Sequence, residues 1–271
     1  MFKQDTSFNS NKIIKTDIIP KKAFYLSNVL TKKECQFMID YGEKKKFQSL
    51  AREYSPNYRK SQRIIEDNKI MAKVWFDRVH KYISSIINLD GKERSLYQFP
   101  EIYGKWKLDG INPHFRLCKY APDGFFKKHY DEGYHPVKLK HRTFLTIMVY
   151  LNDDFDDGET IFYDDQTQKE IYRLVPKVGD CLIFNQQILH EGNVVNNGLK
   201  YMVRSDIFYK KLSSDNININ NINIDTKNNT EAIKLLRQSI QAGKEGNYKY
   251  ATKLCNKAVK LYPDIWDNFV E

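Results

Sequence analysis

The sequence lacks several features that would place it in a special class. No stretch approaches the roughly 18 consecutive apolar residues of a membrane-spanning helix, so we expect no membrane association. The first ten residues, MFKQDTSFNS, contain no apolar segment, which predicts that there is no secretory signal. The 4 cysteines are scattered and form no C-x-x-C pair, so neither a zinc knuckle nor a disulfide framework is indicated. Together these absences predict a soluble intracellular protein, with the cytoplasm as its expected compartment.

The charge balance is basic, with 44 Lys and Arg against 34 Asp and Glu in 271 residues. A basic surface can attract nucleic acid, anionic lipid or acidic peptide. No motif of an RNA- or DNA-binding domain accompanies the charge, so a nucleic-acid partner is unsupported and a solvated, lysine-rich surface is the favoured interpretation. A hydrophobic content of 41%, including 14% aromatic residues, is enough for one large domain with an appendage.

Helical patterns come first along the chain and strand patterns follow. Thr31 to Glu34 (TKKE) form a capping-box motif ahead of an amphipathic helix, and NKIMAKVWFDRVHKYISSII (68–87) repeats its apolar residues at helical spacing. From about residue 106, short β-type runs alternate with Gly, Pro and Asp turns. This order predicts an α+β fold in which N-terminal helices buttress a β-sandwich or barrel.

The composition divides the chain into four predicted segments. Residues 1–22 are predicted to be a flexible polar arm and 23–211 to be the main domain. The Asn-rich stretch 212–229 is typical of a linker. Residues 230–271 read as a C-terminal helical hairpin, which either resembles one tetratricopeptide unit or docks on the body of the protein.

One short motif suggests metal chemistry. In KKHYDEGYHP, His129 and Asp131 are two residues apart, and positions i and i+2 of a strand point to the same face. A third ligand is available in His190, which follows the apolar run CLIF. Two histidines and one carboxylate form the facial triad of non-haem Fe(II) oxygenases, which leaves metal positions open for a cosubstrate and O2.

A cosubstrate carboxylate would need a cation, and the strand KYMVRSDIFY offers Lys200 and Arg204 on one face. Four residues of strand separate them by roughly 13 Å, so only one can grip that carboxylate. The spacing alone leaves the choice between them open.

At these motifs the chain resembles the 2-oxoglutarate/Fe(II)-dependent dioxygenases of the prolyl 4-hydroxylase-like family. The stretches that carry the resemblance are FRLCKYAPDGFFKKHYD, TIMVYLNDDFDDGETIF, VPKVGDCLIF and LHEGNVVNNGLKYMVRSDIFY. The resemblance covers most of 23–210 and implies a double-stranded β-helix, or jelly-roll, core. It also implies Fe(II), 2-oxoglutarate and O2 as cofactors, with ascorbate as a further candidate. One departure is Asp157, which stands where the family often has a second glycine.

The resemblance also assigns roles to residues. It implies that His129, Asp131 and His190 bind iron and are the catalytic centre, and that Lys200 binds the C5 carboxylate of 2-oxoglutarate. The further cofactor-binding candidates that it suggests are Tyr120, Tyr150 and Thr160. Arg204, on the same strand face as Lys200, is a candidate for a supporting or substrate-side role.

The leading hypothesis is therefore an enzyme, a dioxygenase that hydroxylates a C–H bond and releases succinate and CO2. A peptide or protein is the expected partner, with a peptidyl residue such as proline as the target. The alternatives are the same chemistry on a small molecule or nucleobase, or a catalytically silent binding module of the same fold. Loops 52–66 and 132–142 are expected to select the substrate, and the sequence leaves the oligomeric state open.

Overall fold

The computed structural model describes residues 2–89, 104–133 and 141–212, and then 231–232, 234–235, 237–239, 241–242 and 248–261. The chain divides into two compact units. The first contains Met1–Ser85 and Lys107–Lys210, and the second contains Ile86–Trp106 and Lys211–Glu271. All but the first residue of the predicted linker at 212–229 lies outside the described residues, as does much of the predicted hairpin. No helix within the described segments has the length and apolarity needed to cross a membrane.

The secondary structure is mainly antiparallel strand. The helices are α1 (Lys32–Lys45), α2 (Lys69–Val79) and α3 (Tyr248–Leu261), with single 3-10 turns at Ser10–Lys12 and His80–Tyr82. The first eight strands are β1 (Ile14–Ile19), β2 (Ala23–Ser27), β3 (Gln48–Ser49), β4 (Arg59–Lys60), β5 (Gln62–Asp67), β6 (Ile86–Leu89), β7 (Gly104–Ile111) and β8 (His114–Tyr120). The remaining strands are β9 (Gly124–His129), β10 (His141–Tyr150), β11 (Asp156–Asp157), β12 (Thr160–Tyr163), β13 (Glu170–Leu174), β14 (Cys181–Asn185), β15 (His190–Asn197) and β16 (Lys200–Lys211).

Two antiparallel sheets form the body of the first unit. One sheet has the strand order β1-β2-β14-β10-β16-β8-β5-β3, and the other has the order β13-β12-β15-β9-β4 with β11 also paired to β15. Apolar side chains from both sheets share one buried cluster, which includes Tyr150, Phe162, Leu182, Phe184 and Val195. Two sheets that pack face to face around such a cluster fit the predicted jelly-roll core.

Helix α1 begins as the sequence predicts. Thr31 Oγ1 accepts a hydrogen bond from the backbone N–H of Glu34, and Glu34 Oε2 accepts one from the backbone N–H of Thr31. The capping box is therefore complete. Gly42 lies on the buried side of the helix, where a Cβ atom would come within 2.7 Å of the Leu117 side chain on β8. A larger residue at this position would have to displace the Leu117 side chain and the Phe47 ring.

Helix α2 ends earlier than its apolar spacing predicts. It starts after the Asn68 cap but stops at Val79, and Ile86–Leu89 is strand β6. The prediction of one helix over 68–87 was therefore wrong in its second half. Ser84 and Ser85 compete for backbone hydrogen bonds, and the β-branched pair Ile86–Ile87 favours a strand.

The expectation of a flexible arm at 1–22 also needs correction. Residues Ile14–Ile19 form β1, which pairs antiparallel with β2 through a register that runs from Ile14–Ser27 to Ile19–Ala23. Four of the six side chains in β1 are exposed, so the segment shows no alternation of apolar and polar residues. Backbone pairing to β2 holds this strand in place, and hydrophobic patterning cannot report such pairing.

Candidate active site

The two histidines predicted to bind metal are partners across one antiparallel strand pair. His129 is the last residue of β9 and His190 is the first residue of β15, and they stand opposite each other in the register. Their ring centroids are 4.2 Å apart. Aromatic rings hold them in place, since Phe126 stacks on His129 at 3.5 Å and Phe184 meets His190 edge-on at 4.7 Å. Both imidazoles are thus fixed on the interior face of the second sheet.

Backbone carbonyl groups set the tautomer of each imidazole. Nδ1 of His129 lies 2.7 Å from the carbonyl oxygen of Lys127, and Nδ1 of His190 lies 2.9 Å from that of Ile188. A carbonyl can only accept, so each Nδ1 carries the proton and donates it. Each Nε2 then keeps a free lone pair, which is the arrangement that a metal-binding histidine needs.

Asp131 follows β9 and is held at both ends. Its backbone N–H donates to the carbonyl of Gln186 at 2.9 Å. Its Oδ2 accepts from Thr146 Oγ1 at 2.6 Å, and its Oδ1 lies 3.2 Å from Arg204 Nη2. Burial alone would raise the pKa of Asp131, but the charge of Arg204 holds it well below its ordinary value. The side chain is a buried carboxylate anion.

The three predicted ligands converge. Nε2 of His129 is 3.6 Å from Asp131 Oδ1, and Nε2 of His190 is 3.8 Å from Asp131 Oδ2. One ligand atom from each residue falls within 4.8 Å of the others. Burial lowers the pKa of His190 to about 4, so its imidazole is neutral, as metal binding requires. Two neutral nitrogen donors and one carboxylate suit Fe(II), so the side chains present fit the metal that the sequence implies.

The ligands open into a cavity of about 320 Å³ within the first unit. Its lining includes His129, Asp131, His190, Lys200, Tyr120, Thr160 and Arg204. Tyr150 is the one predicted cofactor residue that does not line this cavity. Its hydroxyl lies 2.7 Å from Thr160 Oγ1, so it supports a side chain that does line the cavity.

Lys200 is a buried cation in the same cavity, only 3% exposed. Burial lowers the pKa of its ammonium group to about 8. Its Nζ donates to the carbonyl of Gly158 at 2.6 Å and lies 5.5 Å from the Tyr120 ring centre and 5.6 Å from that of Tyr150. In the described part of the chain Lys200 forms no ion pair with a carboxylate. It is therefore free to pair with a carboxylate that enters the cavity.

The turn that supplies the Gly158 carbonyl explains the departure at position 157. Asp157 has φ = 63° and Gly158 has φ = 67°, so both residues adopt the left-handed conformation. Glycine enters this region without strain, and aspartate is among the few other residues that tolerate it. Asp157 thus takes the backbone conformation that a glycine would adopt at this position.

Several side chains at the site escaped the sequence analysis. Arg59 lines the cavity although it is 8% exposed, and its guanidinium lies 4.3 Å from the Phe126 ring centre and 5.1 Å from that of Tyr54. Thr146 binds the Asp131 carboxylate. The inward alternation of TFLTIMVY could have revealed Thr146, but Arg59 lies in a stretch, 55–63, that reads as an irregular basic loop and in fact contains β4 and the start of β5.

The comparisons with known proteins point to one family. Residues 115–205 match the model of the 2OG-Fe(II) oxygenase superfamily. The chain is 24% identical over 200 residues to a putative prolyl 4-hydroxylase of Acanthamoeba polyphaga mimivirus. The aligned region covers 67% of this chain and 72% of that protein.

Two solved structures of prolyl hydroxylases are also similar. A viral collagen prolyl hydroxylase of Paramecium Bursaria Chlorella virus-1 has a TM-score of 0.43 at 19% identity, over 72% of this chain and 99% of that one. A prolyl hydroxylase of Trichoplax adhaerens, bound to a peptide fragment of hypoxia inducible factor, has a TM-score of 0.48 at 15% identity, over 70% and 84% of the two chains.

The superfamily uses Fe(II), 2-oxoglutarate and O2, and the cluster of His129, Asp131 and His190 fits that chemistry. The family match and the mimivirus relative confirm the resemblance seen in the sequence motifs: the chain is similar to 2-oxoglutarate-dependent dioxygenases of the prolyl 4-hydroxylase-like kind.

Proposed function

We propose that this enzyme hydroxylates proline in a peptide or protein, with His129, Asp131 and His190 as the ligands of its Fe(II). One observation carries the assignment. Lys200 is buried, has no carboxylate partner among the described residues, and lines the same cavity as the three ligands. An enzyme that binds iron and a dicarboxylate side by side requires this arrangement. The domain boundaries at 23–211 and 230–271 remain a proposal as well.

Lys200, and not Arg204, is the proposed partner of the 2-oxoglutarate C5 carboxylate. Arg204 Nη2 already lies 3.2 Å from Asp131 and 3.3 Å from Asp206, so its charge is matched within the protein. Among the residues that the structure describes, Lys200 donates to the backbone carbonyl of Gly158 and has no carboxylate partner. Tyr120 lines the cosubstrate pocket, and Thr160, supported by Tyr150, is placed to donate a hydroxyl hydrogen bond.

Fe(II) held by His129, Asp131 and His190 would supply the activation of O2; one oxygen atom would enter a substrate C–H bond and the other would enter succinate, with loss of CO2 from 2-oxoglutarate. The protein contributes position and environment. His129 and His190 present fixed nitrogen donors, Asp131 adds a negative charge, and the apolar wall formed by Phe184 and its neighbours excludes water. Ascorbate remains a prediction, as a reductant that would maintain Fe(II).

Three aromatic rings of the cavity support a proline-containing substrate. Tyr54, Tyr58 and Phe126 belong to its lining, and their ring centres are 5.5 to 6.3 Å apart. Proline-rich peptides adopt a stiff polyproline II helix that docks on aromatic grooves at a low entropic cost. The name of the mimivirus relative, a putative prolyl 4-hydroxylase, points the same way.

A substrate screen tests this proposal. The protein is loaded with Fe(II) and 2-oxoglutarate under anaerobic conditions, and O2 is then added with proline-rich peptides, single-stranded nucleic acid or free amino acids. Succinate release and the mass of each product are measured, with His129→Ala as the inactive control. We expect a proline-rich peptide to gain one oxygen atom.

Oxygen incorporation into a nucleobase or free amino acid would disprove the peptide substrate and leave the chemistry standing. The absence of succinate under all conditions, including its slow release without substrate, would disprove the chemistry and favour a silent binding module.

A further inference from the structure

The carboxylate of Asp131 has a counter-ion inside the protein. Arg204, on β16, places Nη2 at 3.2 Å from Asp131 Oδ1. The register fixes this position, because Arg204 stands opposite Met148 on β10 and opposite Arg116 on β8. The guanidinium thus reaches the predicted metal ligand from the centre of a long, buried strand.

A second carboxylate holds Arg204 from behind. Asp206 is 1% exposed and accepts from Arg204 Nη2 at 3.3 Å, from Arg116 Nη1 at 3.3 Å and from Gln186 Nε2 at 3.1 Å. The backbone carbonyl of Gln186 also accepts a hydrogen bond from the backbone N–H of Asp131. The network therefore contains two carboxylates and two guanidinium groups and ties the metal ligand to the sheet that carries Arg204.

The aspartate and the histidines differ in charge and in the groups that hold them before metal binds. Each imidazole is neutral when it binds metal and is oriented by a backbone carbonyl. Asp131 is a buried anion, and a buried charge without a partner is strongly destabilising. Arg204 removes this cost when no metal is present. When a divalent ion arrives, Arg204 becomes a second cation beside the same carboxylate and repels the ion.

We propose that Arg204 is a positioning residue that serves as the resident counter-ion of Asp131. It stabilises the metal site in its metal-free form and weakens its affinity for divalent metal. This inference rests on the proposed ligand role of His129, Asp131 and His190. Arg204 acts through Asp131 alone and needs no contact with the substrate.

The test compares Arg204→Met, which removes the charge at similar length, with Arg204→Lys, which keeps the charge. Thermal unfolding of the metal-free protein and Mn(II) affinity by calorimetry are measured without 2-oxoglutarate, so that no turnover occurs. Arg204→Met should unfold several degrees below wild type without metal, yet bind Mn(II) roughly tenfold more tightly or better. Arg204→Lys should stay close to wild type in both measurements.

Arg116→Met is the matched control. Arg116 pairs with the same Asp206 at 3.3 Å and stands opposite Arg204, and its ion pair is with Asp206 and not with Asp131. Its loss should change Mn(II) affinity less than about threefold, because its charge is farther from the ligands. An equal gain of affinity in both Met variants would overturn the specific role of Arg204.

Asp206→Asn gives a second measurement with the opposite sign. It releases Arg204 to pair with Asp131 alone, so Mn(II) should bind more weakly than to wild type. Weaker or unchanged Mn(II) binding by Arg204→Met would refute the counter-ion role, and if that variant does not fold, tighter or unchanged binding by Asp206→Asn would refute it. Wild-type Mn(II) affinity in His129→Ala would instead refute the metal site itself, so the two failures are distinguishable.

Discussion

His129 and His190 are register partners across β9 and β15, with their ring centroids 4.2 Å apart. The pairing brings together residues that are 61 positions apart in the chain (190 − 129). A single antiparallel ladder thus supplies both nitrogen donors, and Asp131 enters from the end of the same strand that carries His129.

Replacing His129 or His190 with alanine should abolish 2-oxoglutarate turnover and leave the fold intact. The metal would lose one of three protein ligands, so its affinity should fall by roughly a hundredfold. Succinate release and Mn(II) calorimetry are the measurements. His80→Ala is the control, since His80 is an exposed helix-end histidine whose ring bonds only to the Phe76 carbonyl among the contacts described. Normal succinate production by His129→Ala would show that the ligand assignment is wrong.

Replacing Lys200 with methionine should raise the KM for 2-oxoglutarate by roughly 10- to 150-fold. The estimate follows from the loss of a charge-assisted hydrogen bond worth about 1.5–3 kcal/mol. Steady-state succinate kinetics provide the measurement. Lys200→Arg should keep most of the affinity because it keeps the charge. A larger KM increase in Arg204→Met than in Lys200→Met would show that Arg204, and not Lys200, binds the C5 carboxylate of 2-oxoglutarate.

The KM for 2-oxoglutarate should also depend on pH. The pKa of Lys200 is lowered to about 8 by burial, and only the protonated amine attracts a carboxylate. The KM should therefore be flat below about pH 8 and rise by up to tenfold per pH unit above it. In Lys200→Arg the guanidinium stays charged and the rise should vanish. Identical pH profiles for the two proteins would rule out titration of Lys200.

At position 157, where the backbone is left-handed, glycine should give a more stable protein than alanine. Both substitutions remove its hydrogen bond with Asn196, so their difference isolates the backbone conformation at φ = 63°. Asp157→Gly should be more stable than Asp157→Ala by about 1 kcal/mol, because alanine is strained in this region. Urea denaturation gives both free energies of unfolding. Equal values would mean that the turn relaxes into another conformation.

The buried pair of Glu34 and Arg78 should contribute far more to stability than a surface pair. Arg78 Nη2 lies 2.7 Å from Glu34 Oε1, and both side chains are almost fully buried. Glu34→Gln leaves Arg78 charged and unmatched, which should cost about 3–5 kcal/mol of unfolding free energy. Lys73→Ala breaks an exposed pair with Asp77 and should cost less than about 0.5 kcal/mol. Similar losses in the two variants would contradict the argument.

The convergence of the three proposed metal ligands could be predicted from the sequence, because two of them lie in one short motif and the third follows a recognisable strand. His129 and Asp131 are two positions apart at the end of one strand, and His190 follows a recognisable buried strand. The pairing of Arg204 with Asp131 could not be predicted. It depends on which strands flank β16 and on their register, neither of which leaves a periodic signal in one sequence.

The errors in the fold have related causes. An apolar period of about 3.6 continues through Ile83 and Ile86, yet the chain leaves the helix at Val79. Strand β1 carries mostly exposed side chains and is held by backbone pairing to β2. Local preferences of Ser84, Ser85 and the pair Ile86–Ile87 decide the first case, and backbone pairing with the neighbouring strand β2 decides the second; an apolar period reports neither.

The carbonyl partners of the two histidines lie in each case two residues earlier in the same chain segment, at Lys127 and Ile188. Each histidine therefore brings its own orienting group, and no other side chain has to be retained to fix its tautomer. Side chains other than the packing rings of Phe126 and Phe184 can change over evolution without altering either tautomer. The carboxylate ligand has no such independence, because Thr146 and Arg204 must change with it. In a directed-evolution experiment we would expect tolerated substitutions to accumulate around the histidines, except at these two rings, and to appear in correlated pairs around Asp131.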